Sequence, residues 1–219
     1  MSTSYDELPY LGRVHIQTHV QRIATIAAVF QVTCPAIEDC RILELGCGDG
    51  SNLINMAYQL PNSTFIGIDA SQVQVDRGND MIAAVPLHNI QLHAQDIMSF
   101  DLNQQPFDYI ICHGVFSWVP APVREQILRI CKALLSPKGI AYVSYNTLPG
   151  WRLYGTLRDM MHYHASKMTS IQEKVDQARA MVQFVGDHVI DPLSPYGHLY
   201  AAMFNTCPPL RPSTSIMNI

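Results

Sequence analysis

Apolar residues along this chain follow two alternating rhythms. Between 13 and 32 they recur at Val14, Ile16, Val20, Ile23, Ile26, Ala27 and Phe30, near helical spacing, which predicts one N-terminal helix over 13–32. Short apolar runs follow at 41–46, Thr64–Asp69, Ile90–Ala94, Phe107–Cys112 and Ile140–Tyr145, each of strand length. Helical stretches lie between them. One spans 52–60 and is stopped by Pro61. Another starts at Ser71, with Gln74 completing a capping box, and reaches about Ala84. A third is opened by Pro120 and Pro122 and runs to Leu135, after which Ser136–Gly139 predicts a turn. Strands nearly continuous in apolar residues, alternating with helices, describe an α/β protein with a mostly parallel sheet covered on both faces. Right-handed crossovers then bring the C-terminal ends of the strands to one rim, where a ligand sits.

Beyond Tyr145 the rhythm is helical only. Residues 151–168 and 172–188 predict two helices, the second with Val175, Ala178, Met181, Val182 and Val185 along one face. The prolines in 191–195 break it, 196–204 predicts a last short helix, and 207–215 reads as coil. The expected organisation is a ligand-binding domain over 1–150, with its core at 38–146, and a helical extension over 151–219.

Composition narrows the class. The 219 residues are 48% hydrophobic and 15% charged, the balance of a globular chain. A net charge of −4, with no visible cluster of Lys and Arg, gives no reason to expect nucleic acid as a partner. Six cysteines at 34, 40, 47, 112, 131 and 207 include no C-x-x-C pair, so neither a metal site nor a disulfide framework is expected. The N-terminal segment has neither the basic nor the apolar region of a signal peptide, and no apolar stretch approaches the roughly 20 residues of a membrane span. A cytoplasmic location is the expectation.

The most informative segment is Ile42–Gly50, reading ILELGCGDG: a strand, an acid, glycines at 46, 48 and 50, then a helix beginning near Asn52. Such a loop admits close approach of a ligand, with the helix N-terminus behind it offering N–H groups. Dinucleotide sites use G-x-G-x-x-G/A, whereas position 51 is Ser. Glu44 ahead of the glycines suits a ligand with an ammonium in place of a pyrophosphate, as in S-adenosylmethionine. Asp69 ends the second strand, where an acid accepts ribose hydroxyls, and Ala70 follows it. Asp96 after the third strand is placed to accept from an adenine amino group, with Ile97 against the ring; the competing reading of Asp96 is a turn residue.

These features over about 38–146 resemble class I S-adenosylmethionine-dependent methyltransferases, a Rossmann-like fold. A narrower resemblance, over about 5–185, is carried by HGVFSWVP at 113–120, SYNTLPGW at 144–151, QTHVQRIAT at 17–25 and RDMMHYH at 158–164. It points to the bacterial group that bears a methyltransferase regulatory domain and includes protein lysine methyltransferases. The resemblance implies that Glu44, Gly46, Gly48, Asp69, Asp96, His113 and Gly114 line the cofactor site; Cys47, Gly50, Asn52, Ala70 and Ile97 are their neighbours and join the candidate set. It also implies a methyl acceptor near Trp118 and Asn146, and only the resemblance suggests that Tyr10, Thr18 and His19 close over the cofactor. Tyr145 and Asn146, at the end of the fifth strand, are the candidate catalytic pair, orienting an acceptor amine or taking its proton; a plain turn into Pro149 and Gly150 is the competing reading.

The function expected is methyl transfer from S-adenosylmethionine, leaving S-adenosylhomocysteine, with protein lysine as the favoured acceptor and a small molecule second. A nucleic-acid base is disfavoured because His113–Phe116 stands where exocyclic-amine methylases carry an Asn/Asp-Pro-Pro-aromatic motif. The other classes weighed are a shortened, non-enzymatic cofactor-binding module and a dinucleotide oxidoreductase. The class I sheet normally adds two strands after the fifth, and none is legible in 147–219; the expectation is a truncated chain or a prematurely ended gene, with its fifth strand as an open edge and its C-terminal helices as candidates for pairing two copies.

Overall fold

The structure, a computed structural model, describes residues 12–188, 191 and 193–198. The expected helix 196–204 lies outside the described residues from 199 onward, as do the coil 207–215 and Tyr10. Two compact units divide the chain, Met1–Tyr145 and Asn146–Ile219.

In the first unit the helices are α1 (Val20–Val29), α2 (Ser51–Gln59), α3 (Gln72–Ala83) and α4 (Ala121–Leu134). The strands are β1 (Arg41–Leu45), β2 (Thr64–Asp69), β3 (Ile90–Ala94), β4 (Phe107–Cys112) and β5 (Leu135–Val143), all parallel in the order β3-β2-β1-β4-β5. Strand alternation sends side chains to opposite faces. Ile42 of β1 joins Val20, Ile23, Leu53, Met56, Phe65 and Tyr109 on one face, while Leu43 and Leu45 join Phe107, Ile110, Ile127, Ile130 and Leu134 on the other. Glu44 therefore points to the α2 side of the sheet, inside an otherwise apolar layer.

Two expectations need correction. The helix expected over 13–32 is a single 3₁₀ turn at Ile16–Thr18 followed by α1, with the break at His19 (φ −61°, ψ 127°), whose ring accepts from Gln21 N as the cap of α1. Upstream of the break, backbone groups are taken by distant side chains: Gly12 N donates to Asp49 Oδ2 at 3.1 Å and His15 N to Asn52 Oδ1 at 3.0 Å. Residues 12–19 thus form a strap over the glycine loop. The turn expected at Ser136–Gly139 lies inside β5 as an irregularity, since Phe107 pairs with Leu135 but Tyr109 with Ile140. Ser136 Oγ anchors it by donating to Asp108 Oδ1 at 2.8 Å.

Gly50 begins α2 in the left-handed region, φ 71°, and a β-carbon there would collide with Leu92 Cδ1. Gly50→Ala combines the left-handed cost of about 1–2 kcal/mol with an overpacking cost of about 1–3 kcal/mol. A stability loss of roughly 2–5 kcal/mol is the expected result, read from the denaturant midpoint.

The second unit contains α5 (Gly150–Ala165) and α6 (Ile171–His188). Val175, Ala178, Val182 and Val185 are buried along one face of α6, and His164 pairs with Gln177 Oε1 at 3.0 Å. Among the described residues no helix is long and apolar enough to cross a membrane.

Candidate functional site

The rim formed by the ends of β1, β2 and β4 gathers most of the expected residues. Gly46, Gly48 and Gly50 all have positive φ (75°, 56° and 71°), so the loop winds through a conformation closed to most side chains. At Gly46 the requirement is also steric, because a β-carbon would strike Val115 Cγ2. At Gly48 and Gly114 it would meet no atom of the described residues within 4 Å.

Asp69 ties the loop to β2. Its Oδ2 accepts from Gly48 N at 2.8 Å and its Oδ1 from Ser71 N at 2.9 Å. Ser71 Oγ in turn accepts from Gln74 N at 3.3 Å and caps α3, leaving Asp69 to the rim, with Ala70 between them.

Glu44 is 4% exposed. Its Oε1 accepts from Asn52 Nδ2 at 2.8 Å, while Oε2 is buried with no hydrogen-bond partner among the described residues. Burial pushes its pKa up to about 8; the Asn52 bond opposes that and the nearby Asp69 charge adds to it. The ligand-free side chain is therefore mostly protonated at pH 7. A buried acid with one pinned oxygen and one orphaned oxygen is suited to receive a cation. Cys47, beside it, is held as a thiol by burial and then by the charges of Glu44 and Asp69.

The loop amides expected to receive a carboxylate are engaged within the loop. Gly46 N and Cys47 N both donate to Ile68 O, Gly48 N to Asp69, Gly50 N to Cys47 O and Ser51 N to Asp49 Oδ1. Asp49 is the residue that sequence reasoning missed. It is 2% exposed and also accepts from Ser51 Oγ at 2.7 Å and Gly12 N, with Arg77 Nε 3.9 Å away. The acidic position inside the glycine run was its only signal.

Asp96 is exposed and caps the 3₁₀ turn Ile97–Ser99, accepting from Met98 N at 2.8 Å. The turn reading is thus realised, through Oδ1. Past β4, His113 stacks edge-on with His15 at a centroid distance of 4.4 Å, and its Nε2 lies 3.2 Å from Gln17 Nε2. Burial, then the neighbouring His15, lowers its pKa, so the ring is neutral at pH 7. Gly114 N donates to Ser144 Oγ at 2.9 Å, joining the ends of β4 and β5. Trp118 is half-buried in the following turn, its N–H donating to Val115 O. Tyr145 closes the first unit, 63% exposed with its ring 6.2 Å from Phe116; Asn146 is exposed and opens the second.

Comparison with known proteins agrees with this geometry. Residues 37–192 match the family model described as a methyltransferase domain. The uncharacterized protein RP789 of Rickettsia prowazekii is 45% identical over 89% of this chain and 35% of its own length; RP028 of the same organism is 38% identical over 89% and 78%. The structure of PKMT2 from Rickettsia typhi in complex with AdoHcy superposes with a TM-score of 0.76 at 37% identity, covering 89% of this chain and 38% of that one. This chain thus spans little more than a third of RP789 and of PKMT2, but most of RP028. Glycine loop, rim acids, parallel sheet and family match together place the chain among the class I S-adenosylmethionine-dependent methyltransferases.

Proposed function

We propose that this chain binds S-adenosylmethionine at the β1–β2 rim and transfers its methyl group to the side-chain amine of a protein lysine. The single observation that carries the binding reading is Glu44, whose orphaned Oε2 is buried beside a left-handed glycine loop and Asp69. The acceptor reading draws on the similarity to PKMT2, of the protein lysine methyltransferase group. Five free cysteines among the described residues fit the reducing cytoplasm, which belongs to the same proposal.

The residues fit the cofactor. Glu44 would hold the ammonium of the aminocarboxylate, Asp69 the ribose hydroxyls, and Asp96 with Ile97 the adenine. When bound, S-adenosylmethionine supplies an electrophilic methyl on a sulfonium. The chain's own work is to hold donor and acceptor in line and to exclude water, worth several powers of ten in rate. No protein nucleophile is required. A lysine arrives protonated, so a group must take or release its proton; Tyr145 and Asn146, at the junction after β5, are the candidates to orient that amine.

The test incubates the full chain with methyl-labelled S-adenosylmethionine and a bacterial lysate. The expected label is in the protein fraction, on lysine. Label confined to the small-molecule fraction would replace the acceptor by a metabolite, and absence of transfer despite cofactor binding would leave a non-enzymatic module.

A further inference from the structure

Asn52 links the strap to the acid. Its Nδ2 donates to Glu44 Oε1 at 2.8 Å and to Thr18 Oγ1 at 3.0 Å, while its Oδ1 accepts from His15 N at 3.0 Å. Thr18 Oγ1 donates to His15 O at 2.9 Å, with Asn52 Oδ1 a second, longer acceptor at 3.2 Å. Both carboxamide N–H bonds and the carboxamide oxygen are thus committed. A flipped amide would set NH₂ against the His15 N–H, a donor that cannot turn away, so the orientation is fixed. Thr18 is 0% exposed and Asn52 5%, which leaves no room for water to stand in for a lost partner.

We propose that Thr18 is a positioning residue for the cofactor site: accepting from Asn52, it fixes the amide that pins Glu44 Oε1 and thereby reserves Oε2 for the ligand's ammonium. This deepens the cofactor reading above and rests on it. Thr18 touches no ligand in this arrangement and acts only through Asn52. Without its hydroxyl, one N–H of Asn52 is buried with no acceptor, a costly state relieved by turning the carboxamide away from Glu44. The carboxyl then loses its fixed orientation. Only the aminocarboxylate end of the cofactor meets Glu44, so the relay separates that end from the nucleoside.

Calorimetry of the full chain with S-adenosylhomocysteine and, separately, with adenosine tests this directly. Thr18→Val is expected to weaken S-adenosylhomocysteine about tenfold or more while leaving adenosine within about twofold, and Thr18→Ser is expected to bind both as the wild type does. Thr18→Ala gives the same reading if the valine variant fails to fold. Equal losses for both ligands would reduce Thr18 to a structural residue and overturn the proposal, as would unchanged S-adenosylhomocysteine affinity. A wild-type chain that binds neither ligand overturns the cofactor reading itself, before any substitution is made.

Discussion

Asp69→Ala is expected to weaken S-adenosylhomocysteine binding by at least about 100-fold, because two charge-assisted hydrogen bonds to the ribose, each worth roughly 1.5–3 kcal/mol, go at once. The loss has a second source within the chain. Gly48 N and Ser71 N both donate to this carboxylate, at 2.8 and 2.9 Å, so alanine also frees the glycine loop from the end of β2. Asp69→Asn does not restore the site, since its NH₂ must face one of those two N–H donors. Calorimetry measures the affinity and a denaturant melt measures the loop's share of the stability. Affinity retained in the alanine variant would mean that the ribose lies elsewhere.

Glu44→Gln carries the second large effect, and its signature is in pH. With a folded pKa of about 8 against an ordinary 4.5, Glu44 is neutral in the free protein at pH 7 and becomes a carboxylate when an ammonium arrives. Cofactor binding at pH 7 should therefore release close to one proton, seen as a dependence of the binding heat on buffer ionisation enthalpy. Gln abolishes that dependence and costs about 100-fold in affinity, since an amide NH₂ then faces the ammonium. The same shift governs stability without ligand. A folded pKa raised above its unfolded value gives stability fully present below pH 4.5 and lost as pH rises through 8. The loss reaches on the order of 3 kcal/mol by pH 7. The melting temperature of Glu44→Gln should gain on the wild type from pH 5 to pH 8; parallel curves would show that Glu44 is ionised throughout.

The sheet was legible chiefly because its central strands are buried. Thr64–Asp69, Ile90–Ala94 and Phe107–Cys112 match their expected limits; Phe107–Cys112 is a central strand whose apolar run is nearly unbroken, and Ile90–Ala94, at the sheet edge, buries only Ile90 and Leu92. The strap was not legible, because its helical spacing of apolar residues is real but its backbone is claimed from far away. Gly12 and His15 donate to side chains 37 residues along the chain, and no local rule weighs such bonds against a helix. Glu44 and Asp69 were legible as acids at strand ends. Asp49 was not, because its part in the loop depends on a fold-back of the N-terminal segment. The β5 irregularity has the sequence signature of a plain turn, since Ser-Pro-Lys-Gly gives the same signal in either setting.

The hydrogen bonds that shape the glycine loop also bear on which ligands it can take. A pyrophosphate settles on such a turn by collecting unclaimed N–H groups. Here the amides of 46, 47, 48, 50 and 51 already serve Ile68, Asp69, Cys47 and Asp49, and Glu44 sets an acid beneath them. A phosphate at this turn would have to break the bonds that shape it and would meet a buried acid besides. A dinucleotide is therefore expected to find this turn a poor seat, its shaping donors already spoken for.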